Sequence, residues 1–499
     1  MTSLPARTET EVAWNRLSPK MLAVHPVQEA IRFLPVLVGV VFIGNDGRGH
    51  VWGLAGLALA VAAGLLRWFT TTYQVTPTHV QVRRGLLRRR ELSVPRDRIR
   101  SVDLTSHPMQ RVLGLSRVVI GTGRSDRGDE GVTLDALSTA DAARLRRELL
   151  YRSTVDAAGI EDVTTPAPAI ATLSPSWIRF GPFTLSGIAT IGVVVATAAD
   201  AFRGDRTGLA GFGLLRSLVS GLAAQPVALL LAEVAVGAAI VVAVLSAIAY
   251  VLAFWNFRLV RQEGTLHVTR GLLTTRSTTI ELRRLRGAEI SEPLLLRAVG
   301  GARCLAITTG LRVGRGAEHG GSVLLPPAPV AEAERVASEV LSDPAPVTAR
   351  PRRHGPRARL RRHVRTVAFA ALVTGALAGA WLTAAWPAWP WLGALALFPA
   401  GVVLAEDRYR NLGHALSGGR LVFRHGSLVR RRYMLAGEGV IGWTFRRTFF
   451  QRRAGLATLT ATTAAGHQHY STMDIPVERA VELAEAATPG LLEPFLIRR

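Results

Sequence analysis

The chain has almost no cysteine and almost no lysine. Cys304 is the single cysteine among 499 residues, which excludes an internal disulfide and any Cys-x-x-Cys metal or redox site. Lys20 is the single lysine, so nearly all of the 60 basic residues are arginine, and an arginine at any one place says little about bidentate recognition. Charge is thin: 19% of residues are charged against 48% hydrophobic, a balance too apolar for an ordinary soluble protein of this length. Aromatics make up only 6% and gather in the apolar runs, which removes the stacking platforms that single-stranded nucleic acid needs, so no nucleic-acid partner is expected. GxSxG, HExxH, Walker A and protein-kinase signatures are all missing. The "GTG" at 121–123 has no following helix, and the "HQHY" at 467–470 offers two alternate histidines without a third ligand. The expectation is a non-enzymatic protein with no cofactor and no catalytic or metal-ligating residues.

Long apolar runs are plentiful. Thr366 to Ala405 is uncharged and is interrupted only by "WPAWPW" (386–391), so it predicts two membrane helices joined by a tight turn whose tryptophans sit at the interface. A second pair is expected over 180–257, with Phe180–Ala199 and Pro226–Phe257 as helices. Glu233 lies near the entrance of the latter, where a carboxylate at the interface is the simpler reading and a functional group the other. "FLPVLVGVVFIG" (33–44) and "VWGLAGLALAVAAGLL" (51–66) form a third and shorter pair, whose first helix must begin near Val27. No cleavable signal peptide is expected, because the first apolar run begins late and follows Glu9, Glu11 and Glu29. The segments after the pairs carry 18 basic against 12 acidic residues (67–179), 20 against 9 (258–365) and 14 against 8 (406–499). The positive-inside rule then places all three segments and both termini in the cytoplasm, a parity that requires six spans.

The same three segments share a repeat. Gly85, Gly271 and Gly426 each lie 29 residues before Gly114, Gly300 and Gly455, and Arg111, Arg297 and Arg452 each lie three before the later glycine. Apolar residues coincide at Ile99, Leu285 and Val440. In the first copy, "HVQVRRGLLRRRELSV" (79–94) alternates on both sides of a glycine turn and predicts a β-hairpin. A strand at 99–104, a helical turn at 107–114, strands at 116–123 and 131–137, and an amphipathic helix at 139–150 with Thr139 as N-cap follow. The segments 328–341 and 476–487 hold the closing helix of the other copies.

That order, with Gly85-Leu86-Leu87, Pro95, Ile99, Ser101 and Val102, and Gln110-Arg111 with Gly114-Leu115, resembles the bacterial pleckstrin-homology (PH) domain of the YdbT/YdbS-type membrane-protein family. The second copy keeps Gly271-Leu272-Leu273 and Arg297 with Gly300, but has Glu281 near the expected proline and Leu296 in place of the glutamine. The third keeps Gly426, Gln451, Arg452, Gly455 and Leu456, with Trp443 where Val102 falls. The resemblance implies an α+β membrane protein with six transmembrane helices in three hairpins, each followed by a cytoplasmic PH-like β-barrel with a C-terminal helix. The expected organisation is a tail at 1–26, hairpin 27–69, module 70–153, linker 154–179, hairpin 180–257, module 258–342, a basic Pro/Arg-rich linker 343–365, hairpin 366–405 and module 406–499. It also implies a smaller single-module membrane partner, and the expected function is a protein- or lipid-binding scaffold in envelope homeostasis or stress tolerance.

Two kinds of site residue are candidates. Gly85, Gly114, Gly271, Gly300, Gly426 and Gly455 are expected to be structural. Arg111, Arg297 and Arg452 either bond carbonyls at the end of the helical turn or contact phosphate. The hairpin-tip clusters Arg88, Arg89, Arg90 and Arg430, Arg431, Arg432 are candidate contacts to anionic head groups, as is the run of eight arginines over 350–365, which otherwise reads as a topology anchor and flexible linker. The alternative function is a transporter or channel component built from three repeats, for which the spans offer few polar residues.

Overall fold

The computed structural model describes residues 14–16, 18–20, 69–85, 90–96, 99, 101–121, 132–150, 168–184, 227–309, 322–384 and 386–495. The first expected helical pair, and most of the first helix of the second, lie outside these residues. The chain divides into two units. One comprises 1–168, 260–281 and 310–312, and the other 169–259, 282–309 and 313–499.

In the first unit, alternation makes the strands. Val80 and Val82 point inward from β3 (His79–Arg84) while Arg83 points out. β3 lies between β2 (Thr72–Val75) and β4 (Arg90–Pro95), and β1 (Asn15–Arg16) closes the β2 side, so among the described residues β4 is an edge. Arg83 lies 3.8 Å above the Trp14 ring. The second half of the copy is β5 (Ser101–Ser106), the helix Pro108–Val112, β6 (Leu115–Gly121), β7 (Val132–Ser138) and the helix Thr139–Leu150. Ala142, Leu145 and Leu149 on that helix meet Val80, Val82 and Val94 from one sheet and Val102, Val118, Ile120 and Leu134 from the other in a single core. The helix is capped one residue earlier than its first threonine suggests. Ser138 Oγ accepts the Asp141 N–H at 3.0 Å and donates to the Asp141 carboxylate at 2.6 Å, because Thr139 is already helical.

The expected modules are self-contained, but the strand pairing is not. β5 pairs antiparallel with β11 (Thr275–Glu281), so the second sheet of copy one runs on into the hairpin of copy two in the order β7-β6-β5-β11-β10-β9, with β8 (Ala169–Thr172) assigned to the second unit. Here β9 is Arg258–Gln262 and β10 is Thr265–Arg270.

The second unit repeats the device. Copy two supplies β12 (Leu285–Pro293), the helix Leu294–Ala298, β13 (Gly301–Thr308), β14 (Val323–Pro329) and the helix Val330–Leu341. Copy three supplies β15 (Gly413–Ser417), β16 (Arg420–His425) and β17 (Val429–Ala436), and the joint sheet runs β14-β13-β12-β17-β16-β15. A last sheet, β18 (Val440–Arg446), β19 (Leu456–Thr463) and β20 (His469–Pro476), packs with the helix Val477–Ala487 onto β16 and β17 through Phe423, Leu435, Leu459, Tyr470 and Leu483.

Among the described residues, three helices are long and apolar enough to cross a membrane. Val236–Phe254 has mean hydropathy 2.5, and its Val236, Ile240, Val244 and Ile248 are exposed, as a lipid-facing surface requires. Pro356–Ala384 and the stretch Trp389–Arg410 are the others, with Trp381 and Trp391 in ring contact at 5.7 Å beside their connecting turn. Pro356–Ala384 begins inside the basic run, so 356–365 is helix rather than flexible linker. The expected span from Phe180 starts instead within a 3₁₀ helix, Pro175–Phe183, where Gly181 fits against Ser246 and Tyr250 of the Val227–Phe254 helix.

The repeat glycines adopt matched backbones. Gly85, Gly271 and Gly426 have φ of 105°, 106° and 104°, and a Cβ at Gly271 or Gly426 would meet the carbonyl of Thr274 or Val429. Gly271→Ala or Gly426→Ala should therefore lower stability by about 1–3 kcal/mol, read as a lower thermal midpoint of the detergent-solubilised protein. Gly375→Ala, in a lipid-facing helix with nothing near its Cβ, should be neutral or stabilising by up to about 1 kcal/mol.

Candidate functional site

The two junctions between copies are the same structure built twice. Gly114 and Gly300 are 186 residues apart, and Gly300 and Gly455 are 155 apart. With those offsets, the pairs Ser106↔Thr275, Thr105↔Arg276 and Leu104↔Ser277 of β5 and β11 become Glu292↔Arg430, Ser291↔Arg431 and Ile290↔Arg432 of β12 and β17, which are the pairs observed. A one-residue slip would turn every side chain to the other face, so identical register in both places marks a specified interface.

At the centre of each junction sits a carboxylate. Asp103 of β5 and Glu289 of β12 occupy equivalent positions. Burial pushes the Asp103 carboxyl up to about 6, against a hydrogen bond from Thr278 and the charges of Arg276 and Arg270, which pull it down. Burial likewise lowers Arg270 to about 10, with Arg276 adding to the effect and Asp103 opposing it. Glu289 is buried, with Arg431 Nε and His467 Nε2 each 3.6 Å away. Arg276 and Arg431 are equivalent, as are Arg270 and His425. In the second junction His425 is held neutral, since burial first and Arg431 second lower it to about 4. The first junction is a buried charge cluster; the second has shed one cation from it.

The candidate arginines divide accordingly. Arg88 and Arg89 lie outside the described residues, and Arg90 is placed only by its backbone, at the start of β4. Arg430 pairs with Glu292 at 3.4 Å and with Asp407 at 4.0 Å. Arg431 faces Glu289, and Arg432 donates to Glu334 at 3.0 Å and to the Val347 carbonyl at 2.8 Å. These three arginines therefore knit β17 to β12 and its surroundings. Arg111 Nη1 donates to the Leu272 carbonyl at 3.1 Å, a carbonyl of the neighbouring copy's hairpin turn rather than of its own helix. Arg297 reaches Asp407 at 3.5 Å. For all three signature arginines the backbone carbonyl accepts the N–H of the glycine three residues on, at 3.1, 3.0 and 3.2 Å, and the glycine φ values are 68°, 73° and 67°.

Carboxylates also tie the helices to the modules. Asp407, in the last turn of Leu397–Arg410, meets Arg297 and Arg430 and accepts from Asn411 at 3.0 Å. Glu406 accepts from Arg359 at 2.9 Å and Arg410 at 3.1 Å. Asp474, 2% exposed, holds Arg361 and Arg362 of the basic run and accepts from Gln451 at 3.0 Å. Beside it, His354 Nδ1 donates to the Met473 carbonyl at 2.8 Å and its Nε2 accepts from His414 Nδ1 at 3.0 Å. Burial lowers these histidines to about 3 and about 4, so both are neutral near neutral pH. Sequence reasoning passed over Asp103, Glu289, Asp407 and Asp474; the recurrence of an acid at the Asp103 and Glu289 positions was available once the copies were superposed.

A strand order and closing helix repeated three times, with apolar helices of bilayer length among the described residues, define a membrane protein of repeated PH-like modules. The chain belongs to the bacterial PH domain family, whose sequence model matches residues 30–153, 215–343 and 365–488. Over 247 residues it is 19% identical to the UPF0699 transmembrane protein YdbT of Bacillus subtilis (strain 168), a match covering 48% of this chain and 50% of that protein. The chain thus spans about half the length of that curated relative. No solved structure matches it.

Two outcomes test the charge design. The Asp103 carboxyl titrates at about 6 in the fold against an ordinary 3.8, so the folded state binds the proton more tightly than the unfolded chain. Its contribution is most favourable below about pH 4 and is lost as pH rises through about 6, a change of about 2–3 kcal/mol. Asp103→Asn should flatten the fall in thermal midpoint between pH 4 and pH 7. Asp474→Ala, which leaves Arg361 and Arg362 without their shared carboxylate, should cost about 3–5 kcal/mol, read in the same melting experiment at neutral pH.

Proposed function

We propose that the chain is a non-enzymatic scaffold of the bacterial inner membrane. In this reading it has six spans in three hairpins, with both termini and all three PH-like modules in the cytoplasm. The observation that carries it is the twofold reuse of one inter-module junction, once within each unit, which ties each copy to the hairpin of the next instead of leaving three independently tethered domains. Modules joined by specified strand pairing suit holding partners together at a membrane. The excess of arginine in each module segment supports the cytoplasmic side.

Anionic head groups and a smaller single-module membrane protein are the partners proposed, with no nucleic acid. The relative is named a transmembrane protein, and the apolar helices here agree with that character. A role in envelope homeostasis or stress tolerance is part of the same proposal. Arg430–Arg432 are engaged in ion pairs, so head-group contact falls to Arg88–Arg90 and to the exposed arginines beside the helices.

Topology is tested with single cysteines at exposed sites of the three closing helices, Ala140→Cys, Ala331→Cys and Glu478→Cys, since native Cys304 is buried. A membrane-impermeant maleimide should leave all three unlabelled in intact spheroplasts and label all three after permeabilisation. Labelling of any one from outside would overturn the arrangement. In proteoliposomes the purified chain should pass no solute; saturable solute flux would establish the transporter reading in its place.

A further inference from the structure

Among the described residues, the equivalents of the junction strands are left without a partner strand on the outer edge at two places, β4 in the first unit and β18 in the second. In copies one and two, the strand after the module's midpoint is covered by a hairpin of the next copy: β5 by β11, and β12 by β17. Its counterpart in copy three is β18, whose sheet runs only β18-β19-β20, so among the described residues its outer edge carries no strand. Burial agrees. β12 is buried along most of its length, whereas Thr444, Phe445, Arg446 and Arg447 at the end of β18 are exposed, and so are Phe449 and Phe450 just beyond. An open edge ending in exposed aromatic residues is a template for an added strand.

The edge left in the first unit is β4, equivalent to β11 and β17, and it would be the natural filler for β18 of a second copy. Charge forbids it. At the junction register, Arg90 would stand opposite Arg446, and the sequence puts Arg89 opposite Arg447. Like charges directly opposite destabilise a pair. The acid of the internal junctions is also gone, since Thr444 stands where Asp103 and Glu289 stand. Inside the chain each covering hairpin is basic and each covered strand carries carboxylates. At β18 the covered strand has become basic.

We propose that β18 is a docking edge for an acidic β-hairpin of another protein, which adds a strand in the register of the internal junctions and places carboxylates opposite Arg446 and Arg447. This deepens the scaffold reading and rests on it only in taking this sheet to be accessible from the cytoplasm. Ile441 and Phe445, 65% and 37% exposed, supply apolar surface along the same edge.

The test uses the full chain in nanodiscs and two fluorescent hairpin peptides of sequence 265–281, closed by a terminal disulfide. One carries Thr275→Glu and Arg276→Glu, the other Thr275→Lys and Arg276→Lys. By anisotropy the acidic probe should bind at least tenfold tighter than the basic one. In the Arg446→Glu, Arg447→Glu chain the preference should invert, and that gain of binding shows that the variant is folded. Hydrogen exchange should slow at 440–446 when the acidic probe is bound. Equal affinities for the two probes, no inversion, or protection elsewhere without protection of β18 would overturn the proposal. Concentration-dependent self-association of the chain that Arg446→Glu, Arg447→Glu leaves unchanged would overturn the like-charge argument. Probe binding is independent of the maleimide and flux measurements, so this proposal and the scaffold reading can fail separately.

Discussion

A β-sheet edge with unpaired N–H and C=O groups must be covered or guarded, and this requirement organises the molecule. Each copy offers a hairpin edge on one side and a strand edge on the other. The chain satisfies both by letting the hairpin of one copy cover the strand of the copy before it. The specificity of that pairing comes from charge as well as alternation, since Asp103 and Glu289 are withdrawn from water opposite arginine-bearing hairpins. An isolated buried carboxylate would be costly, so each junction tolerates little besides its own partner.

The same economy governs attachment of the helices in the second unit. Asp407 and Glu406 stand at the end of the Leu397–Arg410 helix, and Arg361 and Arg362 stand near the start of the Pro356–Ala384 helix. The former join Arg297, Arg430 and Arg359, and the latter join Asp474. Apart from the more exposed Arg359–Glu406 pair, these are partly buried, where salt screens less than at an open surface. The basic run that reads as a topology signal is thus also a structural clamp, and its prolines stand before and at the helix start rather than within a flexible tether.

Much of the fold was legible because its signals are local. Alternation placed β3 and β4, the amphipathic pattern placed the helices 139–150, 330–341 and 477–487, and uncharged runs placed the helix from 227 and the part of Pro356–Ala384 beyond Thr366, but not its basic first turns. The glycine spacing identified three copies, and the matched φ values show what it encodes. The partners of the arginines were not legible. Arg111 finds a carbonyl 161 residues away, and Arg432 finds Glu334 98 residues away. No window of sequence contains such a pair, so nothing in the sequence of the basic tip 425–432 shows that its arginines are engaged in ion pairs.

What the sequence determined by itself is the unit and its number: periodicity, glycine conformation and hydropathy are properties of neighbouring residues and survive without a partner. Which edge each unit covers, and which arginines are consumed inside the array, was decided only by tertiary structure. Strand pairing and ion pairing are choices among distant segments, settled by register, burial and the cost of leaving a charge or a backbone edge unmatched.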